Sequence, residues 1–179
     1  MATEFLGKVD EDLVMLEFGC GRGAGTLYLS ELLKIKDANG TDFHETTIQY
    51  CAKQYKYNNL GRLMNWCLID AQFPQEEIRP KRIDLFFFIQ GLHQVNNIKQ
   101  FFFNTANLMK NDSKLVICDF FFRQDGLKES EYAGCNLKVT KKLNITANVQ
   151  AALLRADRSM EEAEIREHVP WIVKHWAEE

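Results

Sequence analysis

The chain alternates short apolar runs with longer amphipathic ones. Residues 12–18 (DLVMLEF) are short, apolar and ended by glycine, which predicts a buried strand. Residues 25–34 (GTLYLSELLK) carry Leu27, Leu32 and Leu33 and predict a helix. A weak strand is expected at 38–43, a helix at 46–55 and a further strand at 63–70. The strongest signal for a buried strand is 82–91 (RIDLFFFIQG). A helix at 97–110, a turn at 111–113 (NDS) and another buried strand at 114–122 are expected next. Residues 137–146 predict a shorter, half-exposed strand, and the chain beyond Asn148 predicts helix, broken at Pro170. Ile165, Val169, Ile172, Val173 and Trp176 form the apolar stripe of that last helix. His168 and His175, seven apart beside it, lack ligand spacing and fit packing.

Strands alternating with helices predict βαβ units and one mainly parallel sheet. Right-handed crossovers then put the strand C-terminal ends on one edge, where ligands bind. No internal repeat and no Pro/Gly/Ser-rich linker interrupts the pattern. The runs Phe86–Phe88, Phe101–Phe103 and Phe120–Phe122 fit core packing, two in buried strands and one on a helix against them.

The length of 179 residues fits a single domain, and 46% hydrophobic with 26% charged residues is a globular balance. A net charge of -3 gives no general attraction to nucleic acid or to an anionic membrane. No apolar run is long enough to span a bilayer, and the first residues lack a basic stretch followed by an apolar one. A cytoplasmic protein with neither nucleic-acid partner nor membrane span is expected. Five scattered cysteines (Cys20, Cys51, Cys67, Cys118, Cys135) without a CxxC fit reduced thiols, and no metal site is expected.

The candidate chemistry starts at residues 16–25 (LEFGCGRGAG), which hold four of the chain's 10 glycines. This is the first strand-to-helix turn, where backbone amides and a helix N-terminus can meet a ligand. Gly19, Gly21 and Gly23 let the chain turn sharply and let a ligand touch the backbone. Taken alone, a structural turn explains them as well. Glu17 ends the first strand. Asp42 follows Gly23 by 19 residues, the spacing at which a carboxylate takes both ribose hydroxyls of a nucleoside. A helix cap or turn is its alternative role. Asp70 could accept from an adenine amino group or serve as a turn residue before Pro74. His93, just past the strongest strand, is a candidate general base or a packing residue. His44 follows Asp42 and falls either near the adenosine or in solvent. A dinucleotide-binding GxGxxG turn would want glycine at Ala24.

These segments, in order, resemble the class I S-adenosylmethionine-dependent methyltransferases. LEFGCGRG is similar to that family's first motif, an acid followed by G-x-G-x-G. GTDFHETTIQYCAK is similar to the second-strand motif, and CLIDAQ to the adenine-contacting one. Residues 82–121 resemble its fourth strand, loop, helix, turn and fifth strand, with NDS where the family usually has Pro-Gly-Gly. GRGAGTLYL and LNITANVQAAL look most like the branch that O-methylates lipids, polyketides and related small molecules.

The resemblance implies a Rossmann-like, doubly wound sheet with helices on both faces, and S-adenosyl-L-methionine as cofactor. It implies that Glu17, Gly19, Cys20, Gly21 and Gly23 hold the methionine end. Asp42, with Phe43 beside it, would hold the ribose, and Asp70 with Ala71 would border the adenine. Gln90 to His93 would line the pocket, with His93 as base for a hydroxyl-bearing small-molecule acceptor. A cofactor-binding core over 1–136 and an edge strand with C-terminal helices over 137–179 are expected. About a dozen residues precede the first strand, too few for the family's usual lid. No run after 146 reads as a partner for the sixth strand. A sheet incomplete at that edge implies self-association through the C-terminal third and slow methyl transfer. A non-catalytic protein that binds cofactor or a partner is the other function in play.

Overall fold

The computed structural model describes Leu6 and residues 12–72, 82–119 and 127–151. Five strands form one wholly parallel sheet: β1 (Val14–Phe18), β2 (Asp37–Asp42), β3 (Met64–Leu68), β4 (Ile83–Ile89) and β5 (Met109–Cys118). Their order is β3-β2-β1-β4-β5. Between them run α1 (Ala24–Leu32), α2 (Glu45–Gln54) and α3 (Ile98–Leu108), and α4 (Glu129–Tyr132) follows β5. The strand order reverses beside β1, so the turns after β1 and β4 flank the crevice where such sheets take ligands.

Strand alternation sends neighbouring phenylalanines to opposite faces. Phe86 and Phe88 join Leu16, Phe18, Phe101, Phe102 and Leu108 in one core. Phe87 joins Met15, Leu29, Leu33, Ile35 and Leu85 in the other. Thus α3 covers one face and α1 the other, and the unbroken apolar run of β4 is that of a strand buried on both sides. Phe18 holds the first core together, with its ring centroid 5.8 Å from Phe86, 5.9 Å from Phe88 and 5.8 Å from Phe101. Phe103 turns outward and is 51% exposed, so only two of that phenylalanine triplet are core.

Two expectations are corrected. The turn at 111–113 is absorbed into β5 as an irregularity. Ile83 pairs with Met109 and Leu85 with Lys114, so two residue steps on β4 face five on β5. The extra residues bulge out with Asp112 at φ 68°, and the Ser113 hydroxyl donates to the Ile83 carbonyl at 2.8 Å. The strand expected at 137–146 is not formed: residues 137–145 are irregular and a helix begins at Thr146. Val139 and Leu143, the apolar positions of that alternation, are 50% and 52% exposed, so extending the chain there buries nothing.

The chain divides into two compact units, 1–138 and 139–179. In the second, the described residues are an irregular stretch followed by that helix start. Phe120–Phe122, the apolar stripe at 165–176 and the two histidines beside it lie outside the described residues, as does most of the segment expected to self-associate. Among the described residues no helix is long and apolar enough to cross a membrane.

Glu17, next to last in β1, is only 4% exposed. The Thr26 hydroxyl of α1 donates to its carboxylate, and a Cβ at Gly25 would sit 3.0 Å from it. Burial, partly opposed by the Thr26 bond, pushes the Glu17 pKa up to about 7 from 4.5. Between those two values the folded chain keeps a proton that the unfolded chain releases. Stability should therefore fall as pH rises from 4.5 to 7, by on the order of 3 kcal/mol, and stay low above that. Urea unfolding of wild type and Glu17→Gln across pH 4.5–8 checks this. The variant should lose that slope and gain stability at pH 8.

Candidate cofactor and active site

The turn after β1 carries three left-handed glycines, Gly19 (φ +63°), Gly21 (φ +51°) and Gly23 (φ +80°). Their surroundings differ. A Cβ at Gly23 would meet the Trp66 ring at 2.8 Å and the Cys51 sulfur at 3.0 Å. A Cβ at Gly21 would meet nothing within 4 Å, so the space over Gly21 is open. The turn is tied to the end of β2 by two bonds. The Cys20 N–H donates to the Thr41 carbonyl at 2.8 Å, and the Gly21 N–H donates to Asp42 Oδ2 at 3.1 Å.

Asp42 is 7% exposed. Its other oxygen accepts from the His44 N–H at 3.0 Å and lies 3.3 Å from His44 Nδ1. These contacts leave acceptor capacity on the carboxylate, which has about four acceptor sites. The Phe43 and His44 ring centroids lie 3.8 Å apart with the planes tilted by 42°, and both are exposed beside it. Asp70 is exposed, and its Oδ1 accepts from the Gln72 N–H at 2.8 Å across Ala71. The Cys51 thiol donates to the Gly21 carbonyl at 3.3 Å, and the Cys20 thiol faces the same oxygen at 3.7 Å. Burial pushes both thiols up, so they stay neutral and the turn carries no thiolate nucleophile.

On the other side of the crevice β4 ends in strain. Gln90 has φ 56° and donates its N–H to the Cys118 carbonyl at 2.8 Å. Gly91 follows, where a Cβ would lie 2.1 Å from the Phe88 ring. A 3-10 turn, Leu92–Gln94, then presents His93. The carboxylate of Asp119, just past β5, holds it twice: Oδ2 accepts from the His93 N–H at 3.1 Å, and Oδ1 lies 2.7 Å from His93 Nδ1. The Asp119 side chain is fully buried while His93 is 38% exposed. A carboxylate can only accept, so the Nδ1 that faces it carries an N–H. Sequence reasoning missed Asp119. Its signal was in view, an acid directly after the apolar end of a strand. Among the described residues no cluster of His, Cys, Asp and Glu could hold a metal ion.

A family model described as a methyltransferase domain matches residues 16–117. No curated protein sequence matches the chain. Among solved structures, phosphoethanolamine N-methyltransferase 2 of Haemonchus contortus, in complex with S-adenosyl-L-methionine, is similar at TM-score 0.77 and 15% identity. That likeness covers 99% of this chain and 46% of that one. The geranyl diphosphate C-methyltransferase of Streptomyces coelicolor, with Mg2+, geranyl diphosphate and S-adenosyl-L-homocysteine, gives TM-score 0.54 at 12% identity, covering 64% and 42%. An O-methyltransferase from a trans-AT polyketide synthase of Brevibacillus brevis, with S-adenosyl-L-homocysteine, gives 0.50 at 20%, covering 60% and 35%. These identities are likenesses of fold, and this chain spans less than half the length of each of the three structures. The family match, covering more than half of the chain, and a sheet order and glycine turn of the expected kind agree: the chain belongs to the class I S-adenosylmethionine-dependent methyltransferases.

Proposed function

We propose that this chain binds S-adenosyl-L-methionine across the glycine turn and methylates a small molecule with a protonated nucleophile, in first place a hydroxyl. The observation that carries the binding is the Gly21–Asp42 bond, with open space over Gly21 and a buried carboxylate beside it. That is a cradle a side chain would fill and a fixed acceptor for two vicinal hydroxyls. Glu17 and the turn would face the methionine end, Asp42 and Phe43 the ribose, and Asp70 and Ala71 the adenine. The cofactor supplies a methyl group on a sulfonium, which is electrophilic without help from the protein.

The protein must then align the acceptor and take its proton. His93, held through Nδ1 by Asp119 and partly exposed at the mouth of the crevice, suits that task. Asp119 fixes the ring and stabilises the imidazolium once the proton arrives. A hydroxyl acceptor fits a neutral imidazole base, and the lipid or polyketide-like class rests on the sequence resemblance.

Asp42→Ala should weaken S-adenosylhomocysteine binding by about 1–3 kcal/mol in calorimetry. Binding of NADH in place of the adenosylated sulfur compounds would sink the assignment. His93→Ala should lower methyl transfer to hydroxyl-bearing lipids and phenols by roughly 10²–10⁴-fold and leave cofactor affinity unchanged. Transfer at the wild-type rate returns His93 to a packing role, and binding without any transfer favours the non-catalytic function.

A further inference from the structure

The buried face of helix α3 carries two polar residues, Asn104 and Thr105, among its apolar ones. Phe101, Phe102 and Leu108 pack into the core, and Asn104 among them is only 5% exposed. A buried amide costs stability unless both ends are paired. Asn104 is paired at both ends. Its Oδ1 accepts from Gln100 Nε2 at 2.8 Å, one turn earlier. Its Nδ2 donates to the Gln72 carbonyl at 2.6 Å, 32 residues away in sequence. Gln72 in turn donates its N–H to Asp70 Oδ1 at 2.8 Å. Ala71, between them, packs against the same core as Phe101 and Phe102. A continuous chain of bonds thus runs from α3 through Asn104 to the carboxylate of Asp70.

We infer that Asn104 is a positioning residue that fixes the Asp70–Gln72 loop and so makes the site select a 6-aminopurine. This rests on the proposal that the cofactor binds across the glycine turn. Asp70 is exposed and ends a strand at the sheet edge, so its direction is set by the turn it closes. That turn is held through the Gln72 carbonyl, whose partner is the Asn104 amide. With Oδ1 occupied by Gln72, Asp70 has Oδ2 with which to accept from the amino group of adenine. A purine with a carbonyl at that position would set oxygen against carboxylate and be rejected.

The test compares S-adenosylhomocysteine with S-inosylhomocysteine, which carries oxygen in place of the 6-amino group, by calorimetry. The wild type should prefer the adenosyl compound by roughly tenfold or more. Asn104→Asp keeps the volume and the acceptor for Gln100 but removes the donor to Gln72. The preference should collapse to within about threefold, mainly through weaker adenosyl binding. Gln100→Ala, at an exposed position, loosens the amide and should reduce the preference partway. A merely structural defect would weaken both ligands by one factor and leave their ratio unchanged. Equal binding of the two ligands by the wild type, or an unchanged ratio in both variants, overturns the inference. If Asn104→Asp does not fold, the ratio in Gln100→Ala decides. If the wild type binds neither ligand, the cofactor proposal itself fails, which is a separate result.

Discussion

The bond from the Gly21 N–H to Asp42 Oδ2 joins the two loops on which the site depends. It closes the turn after β1 against the end of β2, with the Cys20–Thr41 backbone bond beside it. Parallel pairing of β1 with β2 puts Phe18 opposite Thr41, so the turn and the acid leave the sheet side by side. A residue with a Cβ at Gly21 would face open space but would be strained at φ +51°. At Gly23 and Gly40 the limit is space, because Trp66 lies 2.8 and 2.4 Å from where their Cβ atoms would be. The indole, donating to the Tyr55 carbonyl at 2.8 Å, is the floor on which the turn rests.

Four acids end strands on this edge, and burial divides their work. Glu17 lies inside the protein and gains a proton as the pH falls through about 7. Asp42 is buried but meets two backbone N–H donors. The Asp119 side chain is buried against one imidazole and one backbone amide. Asp70 is exposed and held by a single turn bond. Acids at or near the ends of four strands thus differ in their surroundings, from a proton-holding group at Glu17 to an exposed carboxylate at Asp70.

Much of this was legible in the sequence, for a physical reason. Strands buried on both faces need unbroken apolar runs, so β1 and β4 stood out, and glycine after β1 marked the turn. Asp42 was legible because a fixed strand and helix length separates it from Gly23. Asn104 was not, since its bond to the Gln72 carbonyl spans 32 residues and leaves no period in the chain, and Asp119 offered only the signal of an acid after an apolar strand. The bulge at 111–113 was read as a free turn because NDS is turn-forming chemistry wherever it stands. Residues 137–146 alternate like a strand, yet a strand also needs a surface to bury its apolar face, and alternation cannot report that.

The contacts that fix the sheet's two ends differ in kind. At the C-terminal edge, each loop is held by a buried side chain from a neighbouring element: Asp42 for the glycine turn, Asp119 for the His93 turn, Asn104 for the Asp70 loop. At the opposite edge, two more exposed ion pairs serve. Lys36 meets Asp12 and Lys110 meets Asp84, with both lysines more than a third exposed. Such pairs contribute about 0–1 kcal/mol and are screened by salt. Buried bonds of the first kind are costly to break, because a partner is left unsatisfied. The chain thus spends its buried polar groups where loops must hold a set geometry without a ligand. Loops ordered in advance lose less entropy when a ligand arrives, and so more of each contact shows as affinity. The acids and amides of this edge are therefore placed by the fold itself, before any cofactor touches them.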